Sequence, residues 1–170
     1  MIDDIASFTD YWAKARARTT RVLDHLPAAD LEWSWAAGRF TFGDLFRHLA
    51  GIERFMYAEN VAGRPSRYPG HAPSLAAGVD AVRAFVQRCH AESLAVFGAL
   101  RDDQLTQRCT TPAGATMPIW KWLRAMVEHE AHHRGQLYMM ASMRGLRIPP
   151  LYGLTEEEVL ARSQPADPSW

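Results

Sequence analysis

Cysteine is scarce in this chain: Cys89 and Cys109 are the only two among 170 residues, and no C-x-x-C spacing joins them. That excludes a disulfide framework and points to a reduced, cytoplasmic protein. Cys89 lies among Val82, Phe85 and Val86, where a thiol behaves as a small apolar side chain. A surplus of either charge is missing too, since Lys and Arg number 19 and Asp and Glu number 19. Binding to nucleic acid through phosphates, or to an anionic membrane through a polybasic segment, needs a basic excess, so neither partner is expected. No run of 18 apolar residues occurs, because a charged residue or histidine breaks every candidate; no transmembrane helix is expected. The opening Met1-Ile2-Asp3-Asp4 is acidic where a secretory signal is basic. With no internal repeat, low-complexity tract or dividing linker, one domain spanning 1–170 is expected.

What is present is helical periodicity within a 48% apolar composition, ordinary for a globular chain. From about Ile2 to Leu26, the apolar residues Ile5, Phe8, Trp12, Ala15, Val22 and Leu26 step by three, four or seven, and Pro27 closes the segment. A second segment opens at Thr41-Phe-Gly-Asp44, a capping signal, and carries Phe42, Leu45, Phe46, Leu49, Ile52, Phe55 and Met56 towards Gly63 and Pro65. A third starts near Ser74, and a fourth runs from about Pro118 to Gly145. Four long helices joined by modest loops predict an all-α four-helix bundle. Gly63 to Pro73 reads as a surface loop, and Arg108 to Met117 as a small hairpin around Pro112-Ala-Gly114. After Pro149-Pro150, Thr155-Glu-Glu-Glu158 is placed to cap a short C-terminal helix.

Three of the seven histidines stand apart by geometry. His129 and His133 are four apart on the fourth helix, so both rings leave one face, about 6 Å apart along the axis. Two imidazoles on an apolar stripe are costly unless satisfied, and a divalent cation satisfies them well. His48 points with Leu45, Ile52 and Phe55 on the second helix and is the third candidate ligand. Three neutral imidazoles suit zinc, nickel, iron or copper and leave a coordination position free for chemistry. The plainer alternative is three packed histidines, each hydrogen-bonded to a neighbour.

The flanking residues admit paired readings. His132 leaves the helix at another angle, beside the ligands or at the surface. Gln136, one turn beyond His133, orients a ligand or makes an interhelical hydrogen bond. Arg134 meets an anionic substrate at the rim or forms a surface ion pair. Gly135 allows close approach of a neighbouring helix, and Glu53, off the His48 face, is expected in solvent. Trp33 and Trp35 cover one end of the bundle or line a subunit contact. His25, His71 and His90 read as helix-end, loop and helix-surface residues with no assigned role. A competing motif is present as well, since His129-Glu130-Ala131-His132-His133 satisfies H-E-x-x-H, in which Glu130 is the general base of a zinc peptidase. Its long form is broken by Met139, and the downstream acids Glu156 to Glu158 follow a proline break.

His129-Glu-Ala-His-His-Arg-Gly-Gln136 is similar to the His-x-x-His-His-Arg-Gly-Gln stretch of the DinB (damage-inducible, YfiT-like) superfamily. Thr41-Phe-Gly-Asp-Leu-Phe-Arg-His48-Leu-Ala-Gly-Ile-Glu53 resembles its second-helix segment, and Pro149-Pro-Leu-Tyr-Gly153 the segment after its fourth helix. The resemblance implies a four-helix bundle with a metal site on His48, His129 and His133, often zinc or nickel, and frequently a homodimer. It also implies chemistry on small molecules, including transfer or isomerisation dependent on low-molecular-weight thiols. It does not require Glu130. Three functions remain: a metal-dependent thiol S-transferase, a non-catalytic metal- or ligand-binding stress protein, and, behind both, the H-E-x-x-H metallopeptidase.

Overall fold

A computed structural model describes residues 2–163. Helix α1 (Ile5–Asp24) starts at Asp4, whose carboxylate accepts from the Ser7 N–H. The signal at Thr41 is realised in full: its hydroxyl accepts from the Asp44 N–H at 2.9 Å, and the Asp44 carboxylate accepts from the Thr41 N–H at 3.0 Å. A cap of this kind stabilises a helix start by about 1 kcal/mol. Helix α2 (Phe42–Ile52) runs directly into a π-helical turn (Glu53–Tyr57) and then α3 (Ala58–Val61). Helix α4 (Val79–Gly98) begins later than the periodicity predicts, because Pro73–Leu75 form a separate 3-10 turn. Gly78, at φ +84°, turns the chain between them, a conformation that needs glycine. The predicted hairpin pairs β1 (Arg108–Thr110) with β2 (Thr116–Pro118), Cys109 lying opposite Met117. Helix α5 (Ile119–Met143) completes the bundle, and α6 (Glu156–Arg162) is an exposed, capped appendage. Among the described residues, no helix is long and apolar enough to cross a membrane.

Helices α4 and α5 each pack against both α1 and α2, so α1 and α2 face each other across the diagonal of a four-helix bundle. One apolar cluster gathers Leu23, Phe42, Phe46, Phe85 and Leu137 where α1 ends and α2 begins. The other holds Phe8, Trp12, Tyr57, Phe97 and Leu123 around the start of α1 and α5. Burying each of these large side chains contributes about 1.5–3 kcal/mol. Between the clusters lies a polar layer made of Arg16, Thr19, Glu53, Ser93, Glu130 and Arg134, all buried.

Arg16 spans the diagonal. It donates to the Leu49 carbonyl oxygen at 3.2 Å, pairs with Glu53, and pairs with Glu130 at 3.0 Å. Glu53 also accepts from the Trp12 indole N–H at 2.7 Å and lies 2.9 Å from Nδ1 of His90. Burial alone raises the Glu53 pKa, but Arg16, His90 and Trp12 outweigh it and hold the carboxyl below its usual range. For Glu130 burial is the larger effect, and its carboxyl is pushed up despite Arg16. One guanidinium thus balances one carboxylate, and the second is driven towards its neutral form. Two expectations are corrected here. Glu53 is 1% exposed, because the π-helical turn that carries it packs against both α4 and α5 and leaving the His48 face does not mean reaching water. His90 is likewise turned inward onto Glu53 rather than lying on the helix surface.

Candidate metal centre

The α2 stripe of Leu45, His48 and Leu49 faces α5, and the i,i+4 spacing of His129 and His133 brings both rings to the same level. The Nε2 atoms of His48 and His129 are 3.1 Å apart, as are those of His133 and His129. One nitrogen from each of the three rings lies within 4.8 Å of the others. Nitrogens bound tetrahedrally to zinc at about 2.05 Å stand about 3.3 Å from one another, so the cluster already has nearly the dimensions of a metal site.

The outer nitrogens are held as ligation requires. Nδ1 of His48 lies 2.7 Å from the Tyr68 hydroxyl, and Nδ1 of His133 lies 2.7 Å from the Gln136 side-chain oxygen. With those nitrogens donating, both Nε2 lone pairs face the centre. Gln136 then donates from its amide nitrogen to Nε2 of His132 at 3.2 Å, which puts exposed His132 one step outside the cluster. Burial first, and then repulsion among the rings, holds His48 down at about 3 and His129 at about 4; burial also lowers His133. The imidazoles are therefore neutral across the physiological range, which is the form that binds a metal. Chemistry and spacing of the donor set both fit a divalent cation.

Three neighbours carry no signal of function in the sequence. Phe40 stacks on His48 with ring centroids 5.6 Å apart and meets His71 and His133 edge-on. Tyr68 and His71 come from the Gly63–Pro73 segment, which covers the centre instead of merely lying on the surface. Its fastening begins in the π-helical turn, which shifts the i→i+4 ladder. There the Phe55 carbonyl oxygen accepts from the Arg67 N–H at 2.7 Å and from the Ser66 hydroxyl at 3.4 Å. Buried Glu59 adds ion pairs to Arg54, Arg64 and Arg67, and these guanidiniums hold its carboxyl down at about 2. Gly51 leaves room for the Tyr68 ring, since a Cβ there would sit 3.3 Å from Cε2 of Tyr68.

Other expected roles do not survive the geometry. Glu130 faces α1 and Arg16, away from the imidazoles, so it does not stand over them as an H-E-x-x-H base must. Glu156, Glu157 and Glu158 are exposed on α6. Arg134 is neither a rim residue nor a surface ion pair: it is 9% exposed and donates to the Ala15 carbonyl oxygen at 3.4 Å, because positions 130 and 134 share the face that meets α1. Gly135 is exposed and a Cβ there would meet nothing within 4 Å; the glycines that admit close neighbours are Gly43, against Glu32 and Arg47, and Gly51, against Tyr68.

The family model described as the DinB superfamily matches residues 11–137. The uncharacterized protein YrdA of Bacillus subtilis (strain 168) is 38% identical over 45 residues, a match spanning 26% of this chain and 27% of that protein. Among solved structures, a DinB-like protein from Bacillus cereus ATCC 10987 superposes with a TM-score of 0.77 at 20% identity, covering 88% of this chain and 99% of that one. YfiT from Bacillus subtilis, described as a probable metal-dependent hydrolase with an unusual four-helix bundle topology, gives 0.69 at 16% identity, covering 86% and 91%. A histidine-to-alanine mutant of the mycothiol-dependent maleylpyruvate isomerase gives 0.63 at 16% identity, covering 92% of this chain and 66% of that one.

Proposed function

The chain belongs to the DinB superfamily, and on that premise we propose that it is a metal-dependent enzyme that activates a low-molecular-weight thiol towards an electrophilic small molecule. The observation that carries this reading is the convergence of three neutral imidazoles with no carboxylate or thiolate among them. His48, His129 and His133 would hold the cation, zinc or nickel being the best suited to such a set. When bound, it supplies Lewis acidity that lowers the pKa of a thiol or water at its open position.

The remaining work falls to the chain itself. Tyr68 and Gln136 fix the orientation of His48 and His133, and Phe40 shields the rings from water on one side. Glu130 is committed to Arg16, so the glutamate of the H-E-x-x-H motif is not placed to activate water, which favours a substrate that brings its own nucleophile. The mycothiol-dependent isomerase among the fold neighbours supports a thiol in that role. The two free buried cysteines, Cys89 and Cys109, suit the reducing cytoplasm in which such thiols work. A homodimer completes the proposal, to be read by sedimentation velocity.

Elemental analysis of untagged protein beside His48→Ala tests the site, and a screen of thiol–electrophile pairs with and without chelator tests the reaction. About one equivalent of zinc or nickel in the parent, little in His48→Ala, and turnover lost on chelation and in His133→Ala are expected. Activity that survives metal loss overturns the reading. Metal bound without turnover of any pair leaves a non-catalytic binding protein in its place.

A further inference from the structure

Beside the imidazoles lies a cavity of about 520 Å³, walled by Trp35, Arg39, Phe40, Gln136, Met139 and Met143 among others. Two of these walls belong to the centre as well: Phe40 stacks on His48, and Gln136 holds Nδ1 of His133. The volume falls within the ordinary range for small-molecule pockets, about 300–1,000 Å³. Its lining is apolar and open, with Trp35 51%, Met139 68% and Met143 58% exposed. Large apolar side chains gathered in one exposed concavity mark a binding surface, and thioethers adapt readily to a flat guest. Among the described residues, one charged side chain lines it. Arg39 is exposed, its guanidinium sits 5.3 Å from the Trp35 ring centroid, and among the described residues no carboxylate lies within ion-pair distance of it.

We propose that this cavity binds a small organic anion with a flat apolar body, an aryl carboxylate or sulfonate, its body between Trp35 and the methionines and its anionic group on Arg39. The walls shared with the imidazoles make it the subsite for the electrophilic substrate. That role rests on the function proposed above, whereas the binding itself does not.

The test uses two fluorescent probes of nearly equal shape, anionic 8-anilinonaphthalene-1-sulfonate and neutral N-phenyl-1-naphthylamine, titrated into the full chain. Both should bind at one site per chain. Arg39→Met should weaken the anionic probe about 10-fold, the scale of one charge-assisted contact, and leave the neutral probe within about 2-fold. Met143→Glu should weaken both. Removing metal from the parent with a chelator should leave both affinities unchanged, which separates a failure of the pocket from a failure of the metal reading. Absence of saturable binding, or an Arg39→Met variant that does not distinguish the probes, overturns the proposal. A dimer in sedimentation velocity that Met139→Arg splits into monomers also overturns it, by giving this face to a second copy of the chain.

Discussion

The hydroxyl of Tyr68 lies 2.7 Å from Nδ1 of His48, and the ring that carries it rests over Gly51, one turn further along the same helix. Loop and helix therefore meet through a hydrogen bond and a missing side chain at once. Outer-shell partners of this kind orient a ligating imidazole, and their loss typically weakens metal binding about 10–100-fold. Tyr68→Phe should lower zinc affinity by that factor with a thermal midpoint close to the parent's. Gly51→Ala should act in the same direction by pressing on the ring. Competition with a chromophoric chelator measures both, and parental affinity in Tyr68→Phe would show that His48 needs no such support.

Glu130→Gln should keep its full metal content and most of its thiol-dependent activity, because the carboxylate faces Arg16 and already leans towards its neutral form. A general base contributes about 10²–10⁴-fold to rate. A loss of that size in Glu130→Gln, with metal retained, would restore the H-E-x-x-H reading.

Removing Arg16 strips the buried Glu53 carboxylate of its guanidinium while leaving the charge inside the bundle. Breaking one partner of a buried pair costs about 3–5 kcal/mol, so Arg16→Met should lower the urea midpoint sharply. The double variant Arg16→Met/Glu53→Gln should recover much of that loss, since it no longer buries an unpaired charge. Equal destabilisation in single and double variants would mean that packing, not charge, dominates the layer.

Acid should destabilise the metal-free protein through its imidazoles. An unfolded histidine titrates near 6.5, whereas His48 and His129 are held at about 3 and about 4. Below pH 6.5 the unfolded chain takes up protons that the folded chain refuses, so stability falls steadily until the folded values are reached. Glu59 adds a separate loss between its ordinary value of 4.5 and about 2. The thermal midpoint should therefore drop from pH 7 to pH 4.5, less so in His48→Asn, and a flat profile over that window would contradict the held-neutral cluster.

The bundle was legible because its helices declare themselves through apolar spacing, and the Thr41 and Thr155 caps because their partners lie three residues away. His48, His129 and His133 were legible for the same reason: helical faces bring residues together at known intervals. Tyr68, His71 and Phe40 escaped because loop residues have no period, and the place of Tyr68 and His71 depends on bonds to Phe55 and Glu59 that local sequence does not advertise. Glu53 and Arg134 were misjudged by counting each helix as having one inner face, when the π-helical turn and α5 each touch more than one neighbour. The Arg16–Glu53–Glu130 layer joins three helices at once, a relationship that no single-helix pattern expresses.

The helix that runs from Phe42 to Val61 is wound unevenly, with its one wide turn at Glu53–Tyr57. That turn works as a phase shifter. Forcing its five residues into uniform α-helical winding would rotate all that follows by about 100° relative to His48, the step of one residue, which the wide turn absorbs. Glu59 would swing away from the arginines of the segment that follows, and Tyr57 away from Trp122, while the composition of the core would be almost unchanged. Excising one residue from the turn, Arg54 for instance, should thus be tolerated better than inserting one there, because the angular timing of the helix, and not the identity of any one side chain, is what delivers the covering segment to the imidazoles.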